Sequence, residues 1–122
     1  MSTLRELAAE SIGRITRRGL EPQIAQIEGA LESGERAVAV APGRDGTAGV
    51  VVVLTDQRLL ISSGAPFAQP ELVAHPLADI ASASAAEGDD AWTLHVEHLQ
   101  GETTVAGMFD RDAQRFAVLL TA

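Results

Sequence analysis

The sequence predicts a mainly β fold of the α+β class: an antiparallel barrel or sandwich of seven short strands, with helices at both ends of the chain. Apolar residues recur at helical spacing over the first third of the chain, then alternate with polar residues from residue 35 onward. Turn-forming residues interrupt the alternating part at short intervals, as in barrels and sandwiches. Helical spacing returns after Asp110, and a length of 122 residues suits one domain.

The first predicted helix covers residues 3–18. Thr3 and Glu6 have the spacing of a capping box, in which each side chain bonds the other's backbone N–H. We expect Gly19 to end this helix in the left-handed conformation. Its apolar face carries Leu4, Leu7, Ala8, Ile12 and Ile15.

A second helix is expected to begin at Pro22 and to stop at 33–34. The seven predicted strands follow at residues 35–41, 48–55, 58–61, 71–75, 79–86, 91–99 and 102–108. Four consecutive valines, Val50–Val53, make the second strand apolar on both faces, so it should be covered on both sides, most simply by a helix on the second side. Asp110 is expected to cap a last helix, whose apolar stripe is Ala113, Phe116, Ala117 and Leu120.

Composition excludes several function classes. The chain has no Cys, which rules out disulfides, thiolate chemistry and Cys-based zinc sites. A net charge of -8 argues against general binding to nucleic acid or anionic membranes. Arg5, Glu6 and Glu10 interrupt any signal peptide, and the longest apolar run, Val50–Leu54, is too short to span a membrane. We therefore expect a cytoplasmic protein.

Three histidines are candidates for a metal site. His95 and His98 form an H-x-x-H pair, but on a strand their side chains point to opposite faces and cannot share one metal. His75 is distant in sequence and precedes Pro76. Zinc usually takes three or four ligands, so we expect no metal; His98 should pack on the Trp92 face while His95 is solvated.

The remaining polar clusters do not resemble an active site. Glu87, Asp89 and Asp90 lack the spacing of a calcium loop and are expected to form a charged hairpin tip. No serine lies in a nucleophile elbow, and the serines without an assignable base are Ser62, Ser63, Ser82 and Ser84. No phosphate-binding glycine motif is present. We expect no enzymatic activity and no cofactor.

The apolar face of the first helix and its basic end form the candidate partner-binding surface. Its residues are Leu4, Leu7, Ile12, Ile15, Arg14, Arg17 and Arg18. The arginines can be explained by the preference of cations for a helix C-terminus, or they dock an acidic partner. The apolar face either packs on the chain's own sheet, against the small side chains of 79–86, or mediates self-association.

Arg58 follows the turn at Thr55–Asp56. We interpret it as a structural arginine whose planar fork binds a carboxylate or carbonyl groups, with Asp56 and Asp79 as candidate partners. The alternative is an arginine that grips a ligand.

Three segments of the chain resemble bacterial PH-like (pleckstrin-homology-like) domains of the short, single-domain type. They are the helix ending in Gly34-Glu35, the hairpin Gly49–Ile61 with its Leu-Thr-Asp-x-Arg-Leu sequence, and His75–Ile80. The resemblance covers residues 20–122 and leaves 1–19 as a helical extension. It implies a seven-stranded, strongly bent antiparallel barrel with a C-terminal helix, and no activity. The fold elsewhere binds peptides, proteins or lipid head groups.

The first hairpin loop decides among these ligands. Relatives that bind phosphoinositides use several Lys and Arg there, whereas residues 41–49 offer Arg44 beside Asp45 and no Lys. The sequence therefore predicts a non-catalytic module that binds a protein or peptide partner or self-associates. Further candidate surfaces are the groove between the last helix and its neighbouring strands, and an exposed sheet edge. The alternative is a binder of a small apolar ligand in the barrel mouth.

Overall fold

The computed structural model describes residues 3–65, 68–89 and 91–121. The four helices are α1 (Leu4–Ser11), α2 (Arg14–Gly19), α3 (Glu21–Ala30) and α4 (Asp110–Thr121). The seven strands are β1 (Ala37–Asp45), β2 (Ala48–Thr55), β3 (Arg58–Gly64), β4 (Glu71–Pro76), β5 (Ile80–Glu87), β6 (Trp92–His98) and β7 (Gly101–Met108). Two residues assigned to loops or turns from the sequence, Pro66 and Asp90, lie outside the described residues.

The strands form one antiparallel sheet in the order β4-β3-β2-β1-β7-β6-β5. β1 and β7 are joined at one residue pair, Arg44 and Ala106, so the sheet consists of two ladders linked at this point. The predicted seven antiparallel strands and the C-terminal helix are confirmed. The predicted barrel is not closed, because within the described residues β4 and β5 are edges with no ladder between them. A single 3-10 turn, Leu77–Asp79, separates these two edge strands.

Each face of the β1–β2–β3 ladder has its own core. On the inner face, Val50 and Val52 pack with side chains of β6, β7 and α4, among them Leu94 and Phe116. On the outer face, Val51 and Val53 pack with apolar side chains of the N-terminal helices. The prediction that a helix covers the second face of the valine run is confirmed, since α1 packs on β1 and α3 packs on β2 and β3.

The N-terminal helical region differs from the prediction in its middle. The capping box of Thr3 and Glu6 is present. The expected single helix over 3–18 is instead two helices, because Ile12 is extended at φ -120° and ψ 127°. At this break Ile12 is buried in the outer core, and α2 begins at Arg14 as a separate helix. Arg17 stabilises the break, since its Nη1 donates to the carbonyl oxygens of Ala9 and Ile12, which α1 leaves free.

Two helix ends also differ from their predicted form or position. Gly19 is the last residue of α2 and is not among the glycines with positive φ, so it does not end the helix in the left-handed conformation. Pro22 lies in the first turn of α3, as predicted, but α3 ends at Ala30, before 33–34. Gly34, at φ +82°, forms the turn into β1. None of the helices in the described part of the chain is long and apolar enough to cross a membrane.

Candidate binding site

The predicted partner-binding residues of the first helix are divided between core and surface. Leu4 and Ile12 are buried in the outer core, and Leu7 packs against it. Ile15, on α2, is 87% exposed. The break at Ile12 is the reason, because it places Ile15 on a separate helix, α2, which has no buried residue. Arg14, Arg17 and Arg18 remain together on α2, around a shallow surface depression.

The small side chains of β5 are covered by a different element from the one expected. The C-terminal helix α4 packs on β5 and β6, whereas α1 packs on β1. Ala83 and Ala85 face this inner core, while Ala81, Ser82 and Ser84 are exposed. The groove between α4 and its strands is therefore filled by α4's own apolar stripe, including Phe116 and Leu120.

A cavity of about 970 Å³ lies between the N-terminal helices and the first hairpin. We call it the helix–hairpin cavity. Four parts of the chain line it. They are the helical region from Ile12 to Gln23, the hairpin from Pro42 to Gly49, Gly64 at the end of β3 with Ala65 and Ala68 after it, and Gly107 in β7 with Phe109 just after that strand. Most of this lining is apolar side chain or glycine. Phe109 is 63% exposed.

Two glycines of the cavity lining allow close contacts between the elements around it. A Cβ on Gly49 would lie 2.6 Å from Cδ2 of Leu20, and a Cβ on Gly107 would lie 2.8 Å from Cβ of Arg44. Both distances are too short for real carbon atoms. Gly107 also has a φ of +68°, which favours glycine over any residue with a side chain. The close approach of Leu20 to β2 and of Arg44 to β7 therefore depends on glycine.

Gln23 provides a buried polar group in the wall of the cavity. It is 4% exposed, and its Nε2 donates to the carbonyl oxygens of Gly49 and Gly64, at 3.1 and 3.4 Å. These two acceptors fix the orientation of the carboxamide, because the opposite orientation would place its oxygen against both carbonyls. Oε1 is buried and has no hydrogen-bond partner among the described residues. Leaving such an acceptor unpaired costs about 1–3 kcal/mol.

Arg44 is the charged residue among the described residues that line the cavity. It lies directly opposite Gly49 in the β1–β2 ladder. Residues directly opposite in an antiparallel pair project from the same face of the sheet. On that face, a Cβ on Gly49 would meet Leu20 and Gln23. The stem of Arg44 therefore leaves the sheet beside Gln23, and the two polar groups belong to the same end of the cavity.

The prediction from the sequence treats Arg44 only as a possible binder of phosphoinositide head groups and does not include the cavity. The signal of the cavity in the sequence was weak: Gly49 at the start of β2, Gly64 at the end of β3, and one isolated arginine in the hairpin. Nothing in the sequence indicated that α2 and α3 would cover this end of the sheet. A mostly apolar cavity of several hundred cubic ångströms with a few convergent polar groups is typical of a ligand site.

Arg58 is structural, as predicted, but its partner is neither of the candidates. Its Nη2 and Nε donate to the carboxylate of Glu35, at 2.7 and 2.9 Å, and Nη2 also donates to the carbonyl oxygen of Ala30. The hydroxyl of Thr55 donates to the same carboxylate at 2.7 Å. These charged and neutral donors lower the pKa of Glu35 to about 2. Asp56 instead accepts the backbone N–H of Arg36.

Two histidines that are far apart in sequence meet in the structure. The rings of His75 and His98 are stacked, with their centroids 3.9 Å apart. The hydroxyl of Thr103 lies 2.8 Å from Nε2 of His98 and 3.1 Å from Nε2 of His75. The sequence placed His95 and His98 on opposite faces of one strand and left His75 apart; in the structure His95 lies near Glu102 on the neighbouring strand.

The hydrogen-bond directions in this cluster assign both rings as neutral. The backbone N–H of Gln100 donates to Nδ1 of His98, so the proton of that ring is on Nε2 and is donated to Thr103. The Thr103 hydroxyl then donates to Nε2 of His75. Burial lowers the pKa of His75, and the neighbouring ring of His98 lowers it further, while Asp79 raises it.

The other candidate groups occupy separate positions. Glu87 and Asp89 are exposed, and Ser62 is buried and donates to Oε1 of Gln26. Among residues 3–65, 68–89 and 91–121, no group of three or more histidine, aspartate or glutamate side chains could hold a metal ion. No protein-family model matches this sequence, and comparison with curated proteins gives no match.

Proposed function

We propose that the chain is a non-catalytic, PH-like interaction module that binds a protein or peptide partner in the helix–hairpin cavity. The single observation that carries this proposal is the cavity itself, which combines about 970 Å³ of space with mostly apolar walls. Exposed Phe109 at its edge adds apolar surface of the kind found at interfaces.

The fold supports the PH-like part of the proposal. Two linked antiparallel ladders with a C-terminal helix on the second one have the element order that the resemblance implies. Residues 20–122 are the PH-like part, and 1–19 are the extension that supplies one wall of the cavity. We place the module in the cytoplasm.

Site-specific photo-crosslinking tests this proposal. The chain has no lysine, so reagents that couple lysine amines are of little use. A photoreactive benzoylphenylalanine would replace Thr47, an exposed residue of the cavity lining. The matched control carries the same group at Leu99, which is 81% exposed and lies at the opposite end of β7.

The expected result is an adduct of one defined mass from position 47 in cells, and none of that mass from position 99. Phe109→Ser should weaken that adduct, while Leu99→Ser leaves it unchanged. An adduct of twice the chain's mass would identify the partner as a second copy. Identical adducts from both positions, or no effect of Phe109→Ser, would contradict the proposal.

A small apolar molecule is the second candidate ligand, favoured by the volume of the cavity. The inner core is not its site, because Leu94, Val96 and Phe116 fill that space. The candidate site is therefore the helix–hairpin cavity and not the barrel mouth that the sequence suggested. Mass spectrometry of a solvent extract of the purified protein would detect such a molecule, and Ala65→Trp, which fills the cavity, should eliminate it.

A further inference from the structure

We propose that the helix–hairpin cavity recognises the free C-terminus of a partner peptide whose last residue is apolar. This inference rests on the proposed function and gives the partner a definite chemistry. Three features of the cavity carry it: an unpaired cation, a buried acceptor without a donor, and apolar walls around both.

The cation is Arg44. It makes no salt bridge among the described residues, although the chain as a whole carries a net charge of -8. A lone arginine suits one carboxylate, which its planar fork binds through two parallel hydrogen bonds. Ligands with several negative charges would need more donors, and the described residues of the cavity lining offer no second cation.

The acceptor is Oε1 of Gln23. Gly49 and Gly64 hold the other end of the carboxamide, so this oxygen cannot exchange its place with Nε2. It is buried and without a partner among the described residues, so an N–H of a bound ligand satisfies it once the cavity wall moves aside at this point. Free fatty acids and inorganic anions have no such donor.

The last residue of a peptide combines the three complementary groups within one residue. Its carboxylate matches Arg44, its backbone N–H matches Gln23, and an apolar side chain matches the walls formed by Ile12, Leu20 and Phe109. The register of the β1–β2 ladder brings Arg44 and Gln23 to the same face of the sheet. Arg44 stands opposite Gly49, whose carbonyl oxygen accepts a hydrogen bond from Nε2 of Gln23. The stem of the cation and the anchored end of the Gln23 carboxamide thus meet at one residue pair.

Titration of the isotope-labelled full chain with synthetic peptides, followed by NMR, tests the proposal. The probe is a pool of pentapeptides with four random positions and Leu, Ile, Val or Phe at the end. The pool is made three times: as free acids, as C-terminal amides, and as free acids with the last peptide nitrogen methylated. The expected result is that the free acids shift resonances of residues lining the cavity and bind about tenfold more tightly than the amides. The methylated acids should lose severalfold in affinity.

Protein variants assign the difference to Arg44. Arg44→Gln should reduce the affinity for free acids to that for amides, and Arg44→Lys should restore part of the difference. Arg36→Gln removes an exposed arginine outside the cavity lining and should change nothing. Because Arg44 is exposed, these variants should fold, and their spectra report this directly.

The outcomes separate this inference from the proposed function. If acids and amides bind equally and Ala65→Trp abolishes the binding of both, recognition of a free C-terminus is contradicted, and the cavity remains a peptide-binding site. If no peptide pool shifts the resonances of the residues that line the cavity, recognition of a free C-terminus is also contradicted. The crosslinking experiment then decides the proposed function separately.

Discussion

Arg58 binds the buried carboxylate of Glu35 through two nitrogens and thereby joins the turn after β2 to the segment that follows α3. The side chain of Glu35 is fully buried, whereas that of Arg58 is 20% exposed. Removing the two partners should therefore cost different amounts of stability, because loss of the arginine leaves a buried charge and loss of the carboxylate does not.

We expect Arg58→Met to destabilise the fold by about 3–5 kcal/mol, as is typical when a buried charge loses its partner. Glu35→Gln should cost less, since the guanidinium it leaves behind is partly solvated and still bonds the Ala30 carbonyl oxygen. Urea unfolding at neutral pH measures both. An equal decrease in the free energy of unfolding for the two variants would contradict this difference between the partners.

Glu35 should also control stability in acid. Its pKa is lowered from 4.5 to about 2, so the folded state favours the ionised form. Its contribution is therefore complete above pH 4.5 and is lost as the pH falls toward 2, a change of about 3 kcal/mol. The free energies of unfolding of wild type and Glu35→Gln should differ at pH 6 and converge near pH 2. Parallel curves would show that the carboxylate is not responsible.

The histidine cluster should lose its contribution to the stability of the fold in mild acid, at a higher pH than Glu35 loses its own. The folded pKa of His75 is lowered below its ordinary value of 6.5, so its contribution is complete above pH 6.5 and is lost as the pH falls below it. The loss is at most about 1.4 kcal/mol per pH unit for this group. His75→Gln, whose amide oxygen can accept from Thr103, should show a smaller drop between pH 7.5 and 5.5. Thermal unfolding at both pH values provides the comparison.

Ile12 and Ile15 should respond oppositely to truncation, although the sequence placed both on one apolar face. Ile12 is 2% exposed, so Ile12→Ala should cost about 2–5 kcal/mol. Ile15 is 87% exposed, so Ile15→Ala should change stability by less than about 0.5 kcal/mol. Chemical denaturation of the two variants tests the break between α1 and α2. A large loss for Ile15→Ala at low protein concentration would argue for one continuous helix.

Periodicity was sufficient to predict the elements of the fold. The alternating pattern gave seven strands, and the unbroken apolar character of Val50–Val53 indicated a second layer on the outer face, which α1 and α3 provide. Periodicity could not predict the break at Ile12. The apolar spacing continues through Ile15, whereas the break combines the burial of Ile12 with Gly13, a poor helix former that becomes the N-cap of α2.

The candidate site was less predictable, because its parts meet only through tertiary contacts. Gln23 and Gly49 lie on different elements, and so do His75 and His98. Arg58 was correctly interpreted as structural from the nearby turn, but Glu35 approaches it from a segment 23 residues earlier. Local sequence favours partners within the same turn, whereas the fold supplied a partner from the segment before β1, which the β1–β2 ladder brings beside that turn.

The two-sided cover of β2 has a consequence for synthesis and for shortened forms of the chain. Val50–Leu54 is a short segment of high β-propensity without charge or proline, a composition that favours cross-β stacking between chains when it is unprotected. Residues 1–19 carry Leu4, Ala8 and Ile12, which cover part of the outer face of this segment. Removing residues 1–19 is therefore expected to uncover part of the valine strand and to increase aggregation of the shortened chain, which light scattering would measure.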